Sequence, residues 1–197
     1  MSATLILPKF LHELGAVCPK SNARFTLAGI NFKVDDNGKA SACVTDGKIL
    51  VKVELDDATD IGGAISVTLD PKSLKTALVA CHSKQRPPVL RITDEACTVT
   101  GNGASMVVQK IEGVFPEIED VIPKDVSTIE TTNASVHLNP ELVSKLCLAL
   151  FRACGKSADD PRFAFAFHGP KMPVRVDFKG DTFSGVGVIM PINPPKK

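Results

Sequence analysis

Tryptophan and tyrosine are both missing from the 197 residues. A stacking platform for single-stranded nucleic acid relies on aromatic faces, so that class loses ground, although ten phenylalanines remain. No stretch approaches the ~20 consecutive apolar residues that a membrane-spanning helix needs. The N-terminal MSATLILPKFLHELGAV has a short apolar patch but no basic lead-in, and Pro8, Lys9 and Glu13 interrupt it. It reads as mature protein rather than a signal peptide. Paired cysteine motifs are missing too. Cys18, Cys43, Cys81, Cys97, Cys147 and Cys154 are scattered among mostly apolar neighbours, the pattern of reduced, buried thiols in a cytoplasmic protein rather than of a disulfide set or a zinc site.

Chemistry-bearing clusters are equally scarce. His12, His82, His137 and His168 have no mutual spacing that fits a metal site. Cys81 and His82 are adjacent, so on a helix they point different ways and make a poor nucleophile–base pair. Asp35-Asp36, Asp56-Asp57 and Asp159-Asp160 sit in turn-like stretches, where solvated acids are the simpler reading. G-N-G-A-S at 101–105 is a hairpin turn, not a phosphate loop opening a helix. No catalytic residue, metal or cofactor is expected, and the chain reads as a non-enzyme.

What is present is a repeat. L-P-K-F-L-H-E-L starts at Leu7, L-D-P-K-S-L-K-T-A-L at Leu69 and L-N-P-E-L-V-S-K-L-C-L-A-L at Leu138. Each places a proline, 8, 71 or 140, at the expected first helical position, where its missing N–H costs nothing. Asp70 and Asn139 stand where an N-cap belongs, and apolar residues follow at helical spacing. Each helix is preceded by a short strand signal (ATLIL, AISVTL, ASVHL) and followed by three more, separated by turns such as D-D-N-G at 35–38 and D-G at 46–47. The unit is β-α-β-β-β, present three times, in an α+β fold. One unit alone leaves a face of its helix and sheet bare, so units must pack in pairs or on partners.

Charge follows the repeat. Segments 7–24, 70–88 and 139–157 carry +2, +3 and +2, leaving −6 for the rest of the chain. The cations are Lys9, Lys20 and Arg24; Lys72, Lys75, Lys84 and Arg86; and Lys145, Arg152 and Lys156. Two readings stay open here. They are solvated helix faces, favoured near helix C-termini by the dipole, or a positive side that focuses field on a polyanion and grips phosphates without reading bases.

Two further stretches are more specific: V-T-D-G-K-I-L-V at 44–51 and E-G-V-F-P-E-I-E-D-V-I-P-K at 112–124. With the terminal V-I-M-P-I-N, their order and spacing resemble the bacterial sliding clamp, the beta subunit of DNA polymerase III, over nearly the whole chain. The resemblance implies a DNA clamp fold with helices on one face and antiparallel sheets on the other. It also implies a non-catalytic role: encircling duplex DNA without regard to sequence, being placed there by a clamp loader, and recruiting polymerase and repair proteins through short clamp-binding peptides. The implied peptide pocket comprises Thr45, Gly47, Lys48, Ile49 and Leu50, with Pro116 and Val121. To these the third unit adds Asn139, Leu142, Pro173, Val188, Ile189, Met190, Pro191 and Ile192. Val188 to Ile192 would then be partly core strand and partly pocket floor. Ile49 stands where the family usually has a basic residue, and the ending P-I-N-P-P-K-K differs from the family's P-M-R.

Three units are half of the six in a clamp subunit. Residues 1–124 are expected to form one complete domain of two units, and 125–197 a single half-domain that pairs with the same unit of a second chain. A homo-oligomer, dimer or tetramer, follows from that count. The alternative is a non-encircling accessory module that keeps the peptide pocket and binds partner peptides or a full-length clamp.

Overall fold

The computed structural model describes residues 1–19, 27–84, 86–124, 136–154, 162–180 and 183–192. The first unit contains β1 (Ser2–Ile6), a 3-10 helix (Leu11–Val17) and the meander β2 (Ile30–Val34), β3 (Ala40–Thr45) and β4 (Ile49–Glu54). The second contains β5 (Ile65–Leu69), α1 (Pro71–Cys81), β6 (Val89–Thr93), β7 (Cys97–Gly101) and β8 (Ala104–Val108), with the two-residue β9 (Lys110–Ile111) after it. The third contains α2 (Pro140–Cys154), β10 (Arg162–Ala166), β11 (Val174–Lys179) and β12 (Ser184–Ile189).

The helix starts show why one repeat is not like the others. In α1 the Asp70 carboxylate accepts the Ser73 amide at 2.7 Å, with Pro71 in the first turn. In α2 the Asn139 side chain accepts the Glu141 amide at 2.8 Å. Leu7 holds the matching place in the first unit and has no oxygen to offer. The expectation of an α-helix opening at Pro8 is corrected accordingly: the chain forms a 3-10 helix three residues later, with no side-chain cap. The leading strand expected at 134–138 is also corrected where it can be described. Residues 136–138 are not a strand, and the earlier part lies outside the described residues.

The first two units exchange strands. β1 pairs with β6 of the second unit, and β5 pairs with β2 of the first, both antiparallel. The results are a four-stranded sheet, β1-β6-β7-β8, and a larger sheet in the order β10-β11-β12-β4-β3-β2-β5-β9. α1 packs on β7 and β8, and the 3-10 helix packs on β2, β3 and β4. Leu11, Leu14, Leu74, Leu78, Leu5, Phe32 and Leu90 close a common core between them.

The third unit docks on the first. β12 pairs with β4 from Ser184↔Glu54 to Ile189↔Ile49, and α2 lies against the 3-10 helix. Leu146, Ala149, Leu150 and Ala153 of α2 enter the same core as Phe178 and Phe183, whose rings meet edge to face with centroids 6.1 Å apart. One side of this unit is thus buried on its own chain.

β3 and β4 are nearly buried on both faces, although an antiparallel sheet often leaves one face to water. The cover is the segment 112–124. It places Phe115, Ile118 and Ile122 over Leu27, Cys43, Leu50, Val186 and Val188, a second small core outside the sheet. Lys33–Glu117 (3.5 Å), Lys52–Glu119 (3.0 Å) and Arg175 to the Pro123 carbonyl (2.7 Å) fasten it. Burial works against the Lys52 ammonium, but Glu119 and Glu54 outweigh it and hold its pKa above the usual lysine value.

Candidate functional site

The D-G turn after β3 is locally determined. Thr45 Oγ1 donates to the Ile49 carbonyl (2.7 Å) and accepts from the Gly47 amide (3.0 Å). The Asp46 carboxylate accepts the Lys48 and Ile49 amides at 2.9 and 3.0 Å. Gly47 has φ of 87°, a left-handed conformation that costs glycine nothing. The C-terminal run lies beside this turn, and the Met190 amide donates to the Lys48 carbonyl at 2.9 Å.

Between the turn, the fastened segment and β12 lies an apolar hollow of about 220 Å³. Sites for drug-sized ligands run to roughly 300–1,000 Å³, so this one is scaled to a few anchor side chains. Nine of the fifteen expected pocket residues line it: Thr45, Gly47, Lys48, Ile49, Leu50, Pro116, Val121, Val188 and Met190. Leu27, Glu117 and Ile118 line it as well and were not singled out from the sequence. Glu117 and Ile118 lie inside the quoted F-P-E-I-E-D-V stretch, so the motif held the signal. Leu27 carried none. Met190 and Val121 are 38% and 40% exposed, which leaves apolar surface open at the rim.

The other six expected residues fall elsewhere. Ile189 is fully buried in the main core, because side chains alternate faces along β12, and Val188, like Val186, faces the outer core instead. Asn139 is occupied as the α2 cap, and Leu142 packs against the main core. Pro173 precedes β11. Pro191 and the exposed Ile192 continue the tail, whose Ile192 amide donates to the His137 carbonyl at 2.8 Å. Cys43 backs the hollow, and burial pushes its thiol up to about 12, so it supplies no thiolate there.

The expected basic residues separate by unit. α1 turns Leu74, Ala77, Leu78 and Cys81 inward and leaves Lys72 and Lys75 exposed, with Lys84 and Arg86 exposed just beyond it. Lys9 is exposed above the Phe10 ring, 4.9 Å from its centroid. Burial, with Lys75 nearby, holds the His12 pKa below the usual histidine value; burial and Lys9 do the same to His82. These cations therefore gather where the first two helices meet. Lys145 is placed differently. Its ammonium donates to Asp46 Oδ2 (2.7 Å) and to the Val17 carbonyl (2.9 Å), bracing α2 against the pocket turn instead of lying free for a polyanion. Arg152 is exposed in the last turn of α2. Lys20, Arg24 and Lys156 lie outside the described residues. No group of three or more metal-ligating side chains is found among the described residues, and no described helix is long and apolar enough to cross a membrane.

No family model matches the sequence, and no curated protein matches it. Solved structures do match. The DNA polymerase III beta chain of Streptococcus pneumoniae TIGR4 superposes with a TM-score of 0.75 at 13% identity, over 97% of this chain and 65% of that one. The Helicobacter pylori beta clamp in complex with 3,4-difluorobenzamide gives 0.72 at 14% identity, over 98% and 66%. The Helicobacter pylori beta clamp bound to a DNA ligase peptide gives 0.69 at 14% identity, again over 98% and 66%. The chain has the sliding-clamp fold, α+β with antiparallel sheets, as its sequence motifs lead one to expect. It spans about two thirds of the length of the clamp chains it matches.

Proposed function

We propose that the chain is a DNA sliding clamp, a non-catalytic processivity factor. It would encircle duplex DNA and recruit polymerase and repair proteins in the cytoplasm, as a homo-oligomer placed by a clamp loader. The observation that carries this reading is the apolar hollow between the D-G turn, the fastened segment and Met190. It suits leucine or phenylalanine anchors, and the flexible Met190 adapts to varied partners. That a Helicobacter pylori clamp of the same fold takes a DNA ligase peptide supports the reading. The exposed cations around α1 supply a sequence-independent grip on phosphates.

Met190→Asp tests the site. A carboxylate at this rim would need desolvation against apolar walls. Titration with a short peptide carrying Leu and Phe anchors should show at least tenfold weaker binding, with an unchanged melting temperature. Equal affinity would remove the hollow as the peptide site.

The non-encircling accessory module is the second reading. It is favoured by Lys145, which serves as a brace, and by the exposed Leu148 and Phe151 on α2. Such a module would bind the peptide and show no retention on DNA.

A further inference from the structure

The walls of the apolar hollow differ in charge. Among the described residues that line it, Lys48 and Glu117 are the charged ones. They stand on different walls, Lys48 in the D-G turn and Glu117 in the fastened segment. In the turn, one Asp46 oxygen accepts the Lys48 and Ile49 amides and the other accepts the Lys145 ammonium, so the turn's acid is engaged. Ile49 and Leu50 are buried. Lys48 is exposed, with no ion pair among the described residues.

On the other wall, the Val121 amide donates to the Ile118 carbonyl at 3.0 Å. This tight turn gives its two apolar ends, Ile118 and Val121, to the hollow and carries Glu119 and Asp120 between them. Glu119 is taken by Lys52 at 3.0 Å. Asp120 is exposed and has no ion pair among the described residues. Glu117 meets Lys33 at 3.5 Å, but their side chains are 82% and 51% exposed, so water and salt screen that pair. Glu117 is therefore open to a ligand, and Asp120, next to Val121, adds to the same negative side.

We propose that the hollow selects a peptide whose apolar anchors lie between residues of opposite charge, an acid toward Lys48 and a base toward Glu117. The inference rests on the reading of the hollow as a peptide site and names the chemistry that the peptide must have. Apolar burial is non-directional, so the floor alone does not fix which way a segment runs across it. The charged walls do. A segment laid the wrong way brings like charges together on both walls. A uniformly acidic or uniformly basic segment satisfies one wall and is repelled by the other. Rim contacts of this kind govern the choice of partner more than raw affinity.

Fluorescence anisotropy with the full chain and three capped peptides, all with the same Leu and Phe anchors, tests it. One peptide carries lysine before the anchors and glutamate after them, the second reverses the two, and the third has glutamine at both places. The two charged peptides have the same composition and net charge. At low salt one order should bind the wild-type chain about fivefold tighter than the other, the scale of exposed ion pairs. The difference should shrink in about 0.5 M salt. The charge-swapped chain, Lys48→Glu with Glu117→Lys, should prefer the opposite order and bind the glutamine peptide as wild type does. Lys48→Glu alone, which leaves the fastened segment untouched, should erase the preference. Equal binding of the two orders while the glutamine peptide binds would overturn the charge selection and leave the peptide site standing. So would a preference that survives the swap. Binding of none of the three would remove the hollow as a peptide site, and this inference with it.

Discussion

α1 and α2 begin alike and end in different surroundings. Each opens with a capped proline and buries a stripe of small and branched residues. The outward side of α1 carries Lys72 and Lys75 beside one exposed aliphatic, Val79, with Lys84 and Arg86 following. The outward side of α2 carries Leu148 and Phe151, and its one mid-helix cation is tied to Asp46. The same local pattern thus serves two ends. In the strand-exchanged pair the helix surface is free to be charged. In the third unit it still has apolar area to cover. Local sequence sets the helix, and strand exchange sets what its outer face meets.

Cutting the third unit loose should have the largest effect on this contrast. At Gly185 a Cβ would collide with the Lys52 carbonyl oxygen and the Phe178 ring, near the start of the β12–β4 ladder. Gly185→Val should cost about 3 kcal/mol in urea unfolding, the upper range for overpacking. A loss below about 1 kcal/mol would mean that the joint yields easily and that the two regions are not one cooperative body.

The Lys145–Asp46 brace sharpens the comparison at a smaller scale. Burial alone would raise the Asp46 pKa. The bond from Lys145 and the Ile49 and Lys48 amides outweigh it and hold the pKa below the usual aspartate value. A folded-state pKa below the unfolded one contributes stability above the unfolded value, near pH 4, and that contribution is lost as pH falls through the folded pKa. Lys145→Ala should cost about 1–3 kcal/mol at neutral pH, the range for leaving a buried hydrogen-bonding partner unsatisfied. The gap to wild type should narrow in acid as Asp46 takes up its proton. Urea titrations at pH 7 and pH 3 check both parts, and a gap that widens in acid would contradict the assignment.

Much of this was legible in the sequence. Alternation and turn residues locate every described meander strand, and the Asp70-Pro71 and Asn139-Pro140 pairs locate both α-helices. The first helix departs from expectation because Leu7-Pro8 looks like the others until the missing cap oxygen is weighed. The D-G turn and the F-P segment mark the hollow, but single residues depend on which face of a strand they take. Val188 and Ile189 are neighbours in sequence and lie in different cores. Lys145 counts as one more basic residue until its partner, 99 positions away, is placed beside it. Pairings of that range leave no local trace.

Retention on circular against linear duplex DNA of equal length, at rising salt, tests the clamp reading most directly. A loaded clamp should stay on the closed circle, slide from the free ends of the linear form, and lose its hold when Lys72, Lys75 and Arg86 are all replaced by glutamate. Equal retention on both forms, or a triple variant that holds as well as wild type, would contradict the account and return those cations to an ordinary solvated helix face.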